Sequence, residues 1–176
     1  MTPEERMELF RTFTMSVFRL ETLQRYTVPQ EAERLATFLA GRPLPKRDPT
    51  THPWLRLIAD TTAAGKRWYR VHVVDLPLSD YVRYELASYA ETQAAGFETY
   101  IAERGAHPDL DGLRQDFWLF DDRLVLVMHY DDAGRPLESE LAPEAELDAY
   151  LTRRDLALAH AVSLADYLNS EKRRSA

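Results

Sequence analysis

The chain has 176 residues, 22 Lys and Arg against 29 Asp and Glu, and a formal net charge of −7. An acidic balance argues against broad binding to a phosphate backbone, which needs a basic surface. There is no cysteine, so disulfides, thiolate catalysis and cysteine-based metal sites are excluded.

A hydrophobic share of 45% with 29% charged residues is ordinary for a globular protein, and this length suits one domain with a real core. The opening MTPEERMELF does not read as a signal peptide. No run approaches the roughly 18–20 apolar residues that span a bilayer. The expectation is a cytoplasmic chain with no membrane segment.

Thr2-Pro3-Glu4-Glu5 is a helix start with a capping box. Phe10, Phe13, Val17 and Leu20 recur at spacings of three and four, which continues one apolar helical face, although the β-branched run from Thr12 to Val17 marks a place for a break. A second helix begins near Pro29, with Leu35, Phe38 and Leu39 inward and Gly41 as its stop. Residues 42–53 hold four prolines and read as a semi-rigid loop. Pro53 to Ala64 is a short helix ended by Gly65.

Arg67 to Asp75 is the first clear strand. Alternation puts Tyr69, Val71 and Val73 on one face and Arg70, His72 and Val74 on the other. Pro77 and Ser79 open a helix to about Ala95, and Phe97 to Glu103 is a second strand, so the two strands run parallel in a βαβ unit. After a loop over 104–115, Asp116–Phe120 and Leu124–Tyr130 form a hairpin about Asp121-Asp122-Arg123. Asp132-Ala133-Gly134 makes another turn, and Pro136 to Leu141 returns as a short edge strand. From Pro143 the pattern is helical to about Asn169, with Leu147, Leu151, Leu158, Val162 and Ala165 on one face and Lys172, Arg173 and Arg174 beyond its end. The expected class is α/β, with α+β as the alternative: a mixed sheet of four to five strands in one domain. Its parts are a helical stretch 1–64, a sheet region 66–141 and a long C-terminal helix 143–170.

The runs FRLETLQRY (18–26), FLAG (38–41), RVHVVDLPLSDYVRYEL (70–86) and DFWLFDD (116–122) resemble an uncharacterised domain family widespread in actinomycetes. The motif positions are Arg70, Pro77, Asp80, Tyr81, Arg83, Glu85, Asp116, Phe117, Trp118 and Asp121. The resemblance implies a regulatory or accessory role, since members of that family are often encoded beside helix-turn-helix regulators, and it brings no catalytic residue. A fold-level similarity to half of a phospholipase-D-like domain is weaker. With Asp122 at the turn aspartate of that motif, Gln115 stands at its histidine and Phe117 at its lysine, so both nucleophile and phosphate-binding cation are missing.

Several constellations could carry chemistry. Asp80 with Tyr84, and Tyr81 with Glu85, each share a helical face at the start of the helix after the first strand, where an anion could meet the N-terminus beside Arg83. The plainer reading has Asp80 capping the helix and Arg83 pairing with a surface acid. Asp116, Trp118, Asp121, Asp122 and Arg123 surround the hairpin. Paired carboxylates there could hold a hard cation, but Asp more often makes the turn itself. His72, His129 and Arg70 would converge as a base and an anion binder if their strands were neighbours with matching faces. Tyr81, Tyr84 and Tyr89 could line a pocket or an interface. No metal-ligand spacing and no cofactor motif is present.

These residues give two readings. The first is a non-enzymatic regulatory or accessory protein that binds a partner, such as a helix-turn-helix regulator, or a small anionic ligand. The second is a small enzyme acting on an anionic metabolite, with Arg70 or Arg83 binding the anion and His72 or Asp80 as acid or base. The candidate ligand-binding set is Arg70, His72, Asp80, Tyr81, Arg83, Glu85, Trp118, Asp121 and His129. Nucleic acid ranks last.

Overall fold

The start of the chain follows its capping signal. Thr2 Oγ1 accepts the Glu5 amide proton at 3.2 Å and the Glu5 carboxylate accepts that of Thr2 at 2.8 Å, opening helix α1 (Pro3–Thr12). In the computed structural model, which describes residues 1–174, the helix stops there. The face expected to continue to Leu20 instead becomes strand β1 (Ser16–Glu21). The same residues satisfy a period of two: Val17, Arg19 and Glu21 against Phe18 and Leu20. The Asp121 carboxylate takes the Thr14, Met15 and Ser16 amides at 2.8, 2.7 and 2.9 Å, so the donors freed at the junction are satisfied.

A 3₁₀ turn (Pro29–Glu31) leads into α2 (Ala32–Leu39). Leu35 and Phe38 pack inward, but Leu39 is 55% exposed, contrary to expectation. Then follow α3 (Pro53–Ala63), β2 (Arg67–Val74), α4 (Asp80–Ala94) and β3 (Phe97–Glu103). The hairpin is β4 (Asp116–Phe120) and β5 (Leu124–Met128), two residues shorter than expected, with Asp121 and Asp122 both at φ 53° in its turn. The returning edge contracts to β6 (Glu140–Leu141) and a single bridge between Tyr130 and Pro136.

The expected long C-terminal helix is two helices, α5 (Leu147–Ala159) and α6 (Leu164–Arg174), separated by strand β7 (Val162–Ser163). Ser163 Oγ accepts the Asp166 amide at 3.1 Å and restarts the helix as a cap. The shift in phase turns Val162 and Ala165 outward and buries Leu164 and Tyr167 instead. Arg173 and Arg174 belong to the last turn of α6, where Arg174 pairs with Glu103 at 2.6 Å.

The sheet has seven strands in the order β6-β5-β4-β1-β2-β3-β7, rather than four or five. β1, β2 and β3 are parallel neighbours and the other pairings are antiparallel. The mixed α/β class holds. The extra strands are β1 and β7, and β1 is the centre: it separates the βαβ unit from the hairpin.

The two sheet faces differ. One carries Phe18, Leu20, Tyr69, Val71, Val73, Phe117, Leu119, Val125 and Val127, packed under Tyr150 and Ala157 of α5. The other meets α1, α3, α4 and α6. It is apolar at one end (Val17, Trp68, Phe97 and Phe120) and at the other (Val74 and Ile101), with a polar band between.

Candidate functional site

The polar band is set by register. Arg19 of β1 stands opposite Arg70 of β2, and Arg70 opposite Thr99 of β3. On the next rung Glu21 faces His72. All five side chains are buried, with Arg19 at 4% and Arg70 at 7% exposure. Two guanidinium groups on adjacent strands repel, and burial strengthens that repulsion. Glu21 lies between them, its carboxylate 3.2 Å from Arg70 Nη1 and 3.8 Å from Arg19 Nε. Burial opposes ionisation of Glu21, but Arg70 and then Arg19 outweigh it and hold the carboxyl below its ordinary range.

Arg19 has a second counter-ion in Asp116, at 2.9 Å. Asp116 also accepts from Tyr26 Oη (2.7 Å), the Thr22 hydroxyl (2.7 Å) and the Thr22 amide (2.8 Å). Burial raises its pKa while Arg19, Tyr26 and Thr22 oppose that rise. Four donors on two oxygens is the environment of a carboxylate. Tyr130 Oη accepts from Arg19 at 2.9 Å, and the Arg19 guanidinium lies 5.1 Å above the Trp118 ring. Arg70 is sandwiched, 3.8 Å from the Phe97 ring and 4.4 Å from that of Tyr89.

Above this band opens a cavity of about 530 Å³, within the ordinary range for small-ligand clefts. Its floor is Arg19, Glu21 and Arg70. Its roof is Tyr81, Glu85, Ser88 and Tyr89 of α4, and Glu31, Arg47, Trp54 and Tyr130 close the sides. It sits over the carboxyl-terminal half of β1 and the middle of β2, and Tyr26 and Val28 from the segment that follows β1 also line it. Glu85 is buried, and desolvation, then the charges of Glu21 and Glu31, push its pKa up to about 8. Desolvation likewise raises that of Glu31, whose carboxylate accepts from Tyr81 Oη at 2.9 Å. Two polar atoms of the floor, Arg19 Nη1 and Arg70 Nε, are buried with no partner among the described residues. Unsatisfied donors on buried cations are costly and rare.

Of the residues singled out from sequence, Arg70, Tyr81 and Glu85 line this cavity. His72 lies beneath it, with both ring nitrogens engaged: Nε2 donates to the Leu23 carbonyl at 2.9 Å and Nδ1 is 2.8 Å from Tyr89 Oη. A carbonyl only accepts, so Nε2 carries a proton, while Tyr89 Oη, which also lies 3.4 Å from the Glu21 carboxylate, is shared between that carboxylate and Nδ1. Trp118 supports Arg19 from the side. The other four do not join. Asp80 and Arg83 are exposed, and the cap of α4 is Ser79, whose Oγ accepts the Val82 amide at 3.0 Å. Asp121 ties the hairpin turn to the start of β1. His129 alternates with Val125 and Val127 onto the α5 face, where it meets Glu140 at 3.0 Å, so it cannot converge with His72. Its neighbour Tyr130 reaches the band instead.

Arg19 and Glu21 were missed because 16–21 reads as helix. The available signal was the two-residue alternation of SVFRLE, with an Arg and a Glu on one face.

One group of metal-capable side chains forms elsewhere among the described residues. His107 Nδ1 and His160 Nε2 lie 3.3 and 3.7 Å from Asp109 Oδ2. Their rings stack at 3.8 Å with 23° between planes, and His107 Nδ1 already accepts the Asp109 amide at 3.3 Å. No helix of the described residues is long and apolar enough to cross a membrane.

A family model described as a domain of unknown function, DUF6879, matches residues 4–169. The chain belongs to that family. No curated protein and no solved structure matches it. The DUF6879 match spans all seven strands, so the band, the cavity and the hairpin lie within the family's own domain.

Proposed function

We propose that this chain is a cytoplasmic accessory protein that binds a small ligand in the cavity over β1 and β2 and through it acts on a partner protein. The observation that carries this reading is the pair of buried, unpartnered donors, Arg19 Nη1 and Arg70 Nε, at the floor of a cleft of ligand size. A ligand with an anionic group, a carboxylate or a phosphate, would supply the missing acceptors. A buried ionic band contributes little net stability, because desolvation cancels most of the attraction. Its presence therefore favours a binding role over a scaffolding one. The resemblance read from the sequence supports a helix-turn-helix regulator as the partner, in an actinomycete setting. A phospholipase-D-like ancestry without its His and Lys would fit the same silent, sensing role.

Native mass spectrometry of the protein purified from its own host tests this. The expected result is a retained small molecule that is absent from Arg70→Met. A wild-type protein carrying nothing, or a molecule kept equally by Arg70→Met, contradicts it.

An enzyme acting on an anionic metabolite is the second reading. Glu21 and Glu85 favour it: two carboxyls line one cavity with their pKa values driven apart, an arrangement suited to acid–base work. Arg70 keeps its anion-binding role there, while Arg83 and Asp80 lie outside the cavity and His72 has its full set of protein partners. Turnover abolished by Glu85→Gln without unfolding would select it.

A further inference from the structure

We infer that the ligand is bipolar, with an anionic group held by Arg19 and Arg70 and a protonated amine held by Glu85 and Glu31 against the cavity tyrosines, as in an α-amino acid or a short peptide. This rests on the cavity being a ligand site and names the chemical class it takes.

The argument is a charge balance around one space. Each cation of the lining already has an acid. Arg19 is paired with Asp116 at 2.9 Å, Arg70 with Glu21 at 3.2 Å, and Arg47 with Glu91 at 2.9 Å. Glu85 and Glu31 line the same cavity, and neither has an Arg, Lys or His within salt-bridge distance among the described residues. What the floor lacks is acceptors for two N–H groups. What the roof lacks is a cation. A purely anionic guest would satisfy the first need but leave Glu85 and Glu31 without a cation, and it would hold Glu85 in its protonated form. A purely cationic guest would leave the arginine donors unpaired. A molecule carrying both groups answers both needs.

Placement agrees. The guanidinium of Arg70 lies 4.4 Å from the Tyr89 ring, and Glu85 is one helical turn before Tyr89 on the same side of α4. Opposite charges are thus offered from floor and roof about a turn apart. Tyr26, Tyr81, Tyr89, Tyr130 and Trp54 supply π faces of the kind that attract an ammonium, together with apolar surface for a side chain. A cavity of about 530 Å³ has room for an amino acid or a dipeptide.

Protonation gives a signature. With its pKa near 8, Glu85 is mostly a neutral acid at pH 6.5. An arriving ammonium favours the carboxylate, so Glu85 loses its proton to buffer and affinity rises as pH climbs toward 8. A guest that is only an anion favours the protonated acid, and its affinity falls over the same interval.

The test is a thermal-shift survey of the protein amino acids on the whole chain. Calorimetric titration of the best binder then follows, beside its desamino acid and its decarboxylated amine, at pH 6.5 and pH 8. We expect the amino acid to bind at least about tenfold tighter than either analogue, equivalent to about 1.4 kcal/mol. Its affinity should rise with pH, and Glu85→Gln should bring it down to that of its desamino acid, with near-ultraviolet circular dichroism confirming the fold of the variant. A desamino acid that binds as tightly as the amino acid overturns the bipolar inference. If Arg70→Met abolishes that binding, the cavity stands as an anion site. If no amino acid binds at millimolar concentration while other anions do, the inference fails alone. If neither class binds, the cavity reading fails with it.

Discussion

The two faces of one sheet do different work. Under α5, side chains from β1, β2, β4 and β5 interdigitate with hardly a polar atom, and Phe18, Leu20, Val71, Val73 and Phe117 are wholly buried. Across the same strands, one peptide plane away, lie Arg19, Glu21, Arg70, His72 and Asp116. The first face is built by apolar burial, which is non-directional and favourable at about 25 cal/mol per Å². The second depends on each charge finding its partner, and it is complete except at the cavity. The contrast teaches that the α5 face only packs, whereas the opposite face packs at its two ends and carries its charges between them.

Four substitutions break or sharpen that contrast. The largest effects come from emptying either face. Phe18→Ala should cost about 3–5 kcal/mol through the cavity it leaves, measured by urea unfolding, and a loss under 1 kcal/mol would show that this face is not the anchor. Asp116→Ala should cost a similar 3–5 kcal/mol for another reason: it leaves Arg19 buried without its main counter-ion and orphans Tyr26 and Thr22. If Asp116→Ala proves harmless while Phe18→Ala does not, Arg19 does not depend on Asp116 as its counter-ion.

A smaller effect separates the faces by pH. Glu85 has its pKa raised from 4.5 to about 8, so the folded state holds a proton that the unfolded state has lost. Stability contributed by that proton is full below pH 4.5 and declines between 4.5 and about 8, by up to about 1.4 kcal/mol per pH unit. Glu21 is lowered, so its contribution runs the other way, present above its ordinary pKa and lost on acidification. Glu85→Gln should therefore flatten the alkaline decline and gain most over wild type at pH 8, as followed by denaturant midpoints from pH 5 to pH 9. An unchanged slope would place the ionisation elsewhere. The smallest effect is expected of Arg83→Ala, an exposed position on α4, at within about 0.5 kcal/mol and with ligand binding intact. A loss of binding in that variant would move the site to the start of α4.

Much of the scaffold was legible in the sequence. Period-two runs with turn residues at their ends marked β2, β3 and the β4–β5 hairpin, and the capping box marked α1. What escaped was decided by tertiary context. SVFRLE carries apolar residues that satisfy helical and strand spacing alike, and only a partner on each side, β2 and β4, resolves the ambiguity. Reading it as helix hid Arg19 and Glu21, half of the ionic band. The C-terminal break rests on Ser163 and Asp166, a cap signal inside an otherwise helical pattern. Arg70 was legible from the alternation of β2, and Tyr81 and Glu85 from their four-residue spacing on α4, and the structure sets the pair as roof over that floor. Alternation rightly groups His129 with Val125 and Val127, but β4 and β1 lie between β5 and β2 and His72 is on the opposite face, so the convergence with His72 and Arg70 fails on strand order and on facing.

The claim on which the account depends is that the space above Arg19 and Arg70 is a binding site. A thermal-shift screen of small carboxylates, phosphates and amino acids against wild type and Arg70→Met tests it most directly. The account predicts compounds that raise the wild-type Tm by several degrees and leave that of Arg70→Met unmoved. Equal shifts in the two proteins, or none in either, would contradict it.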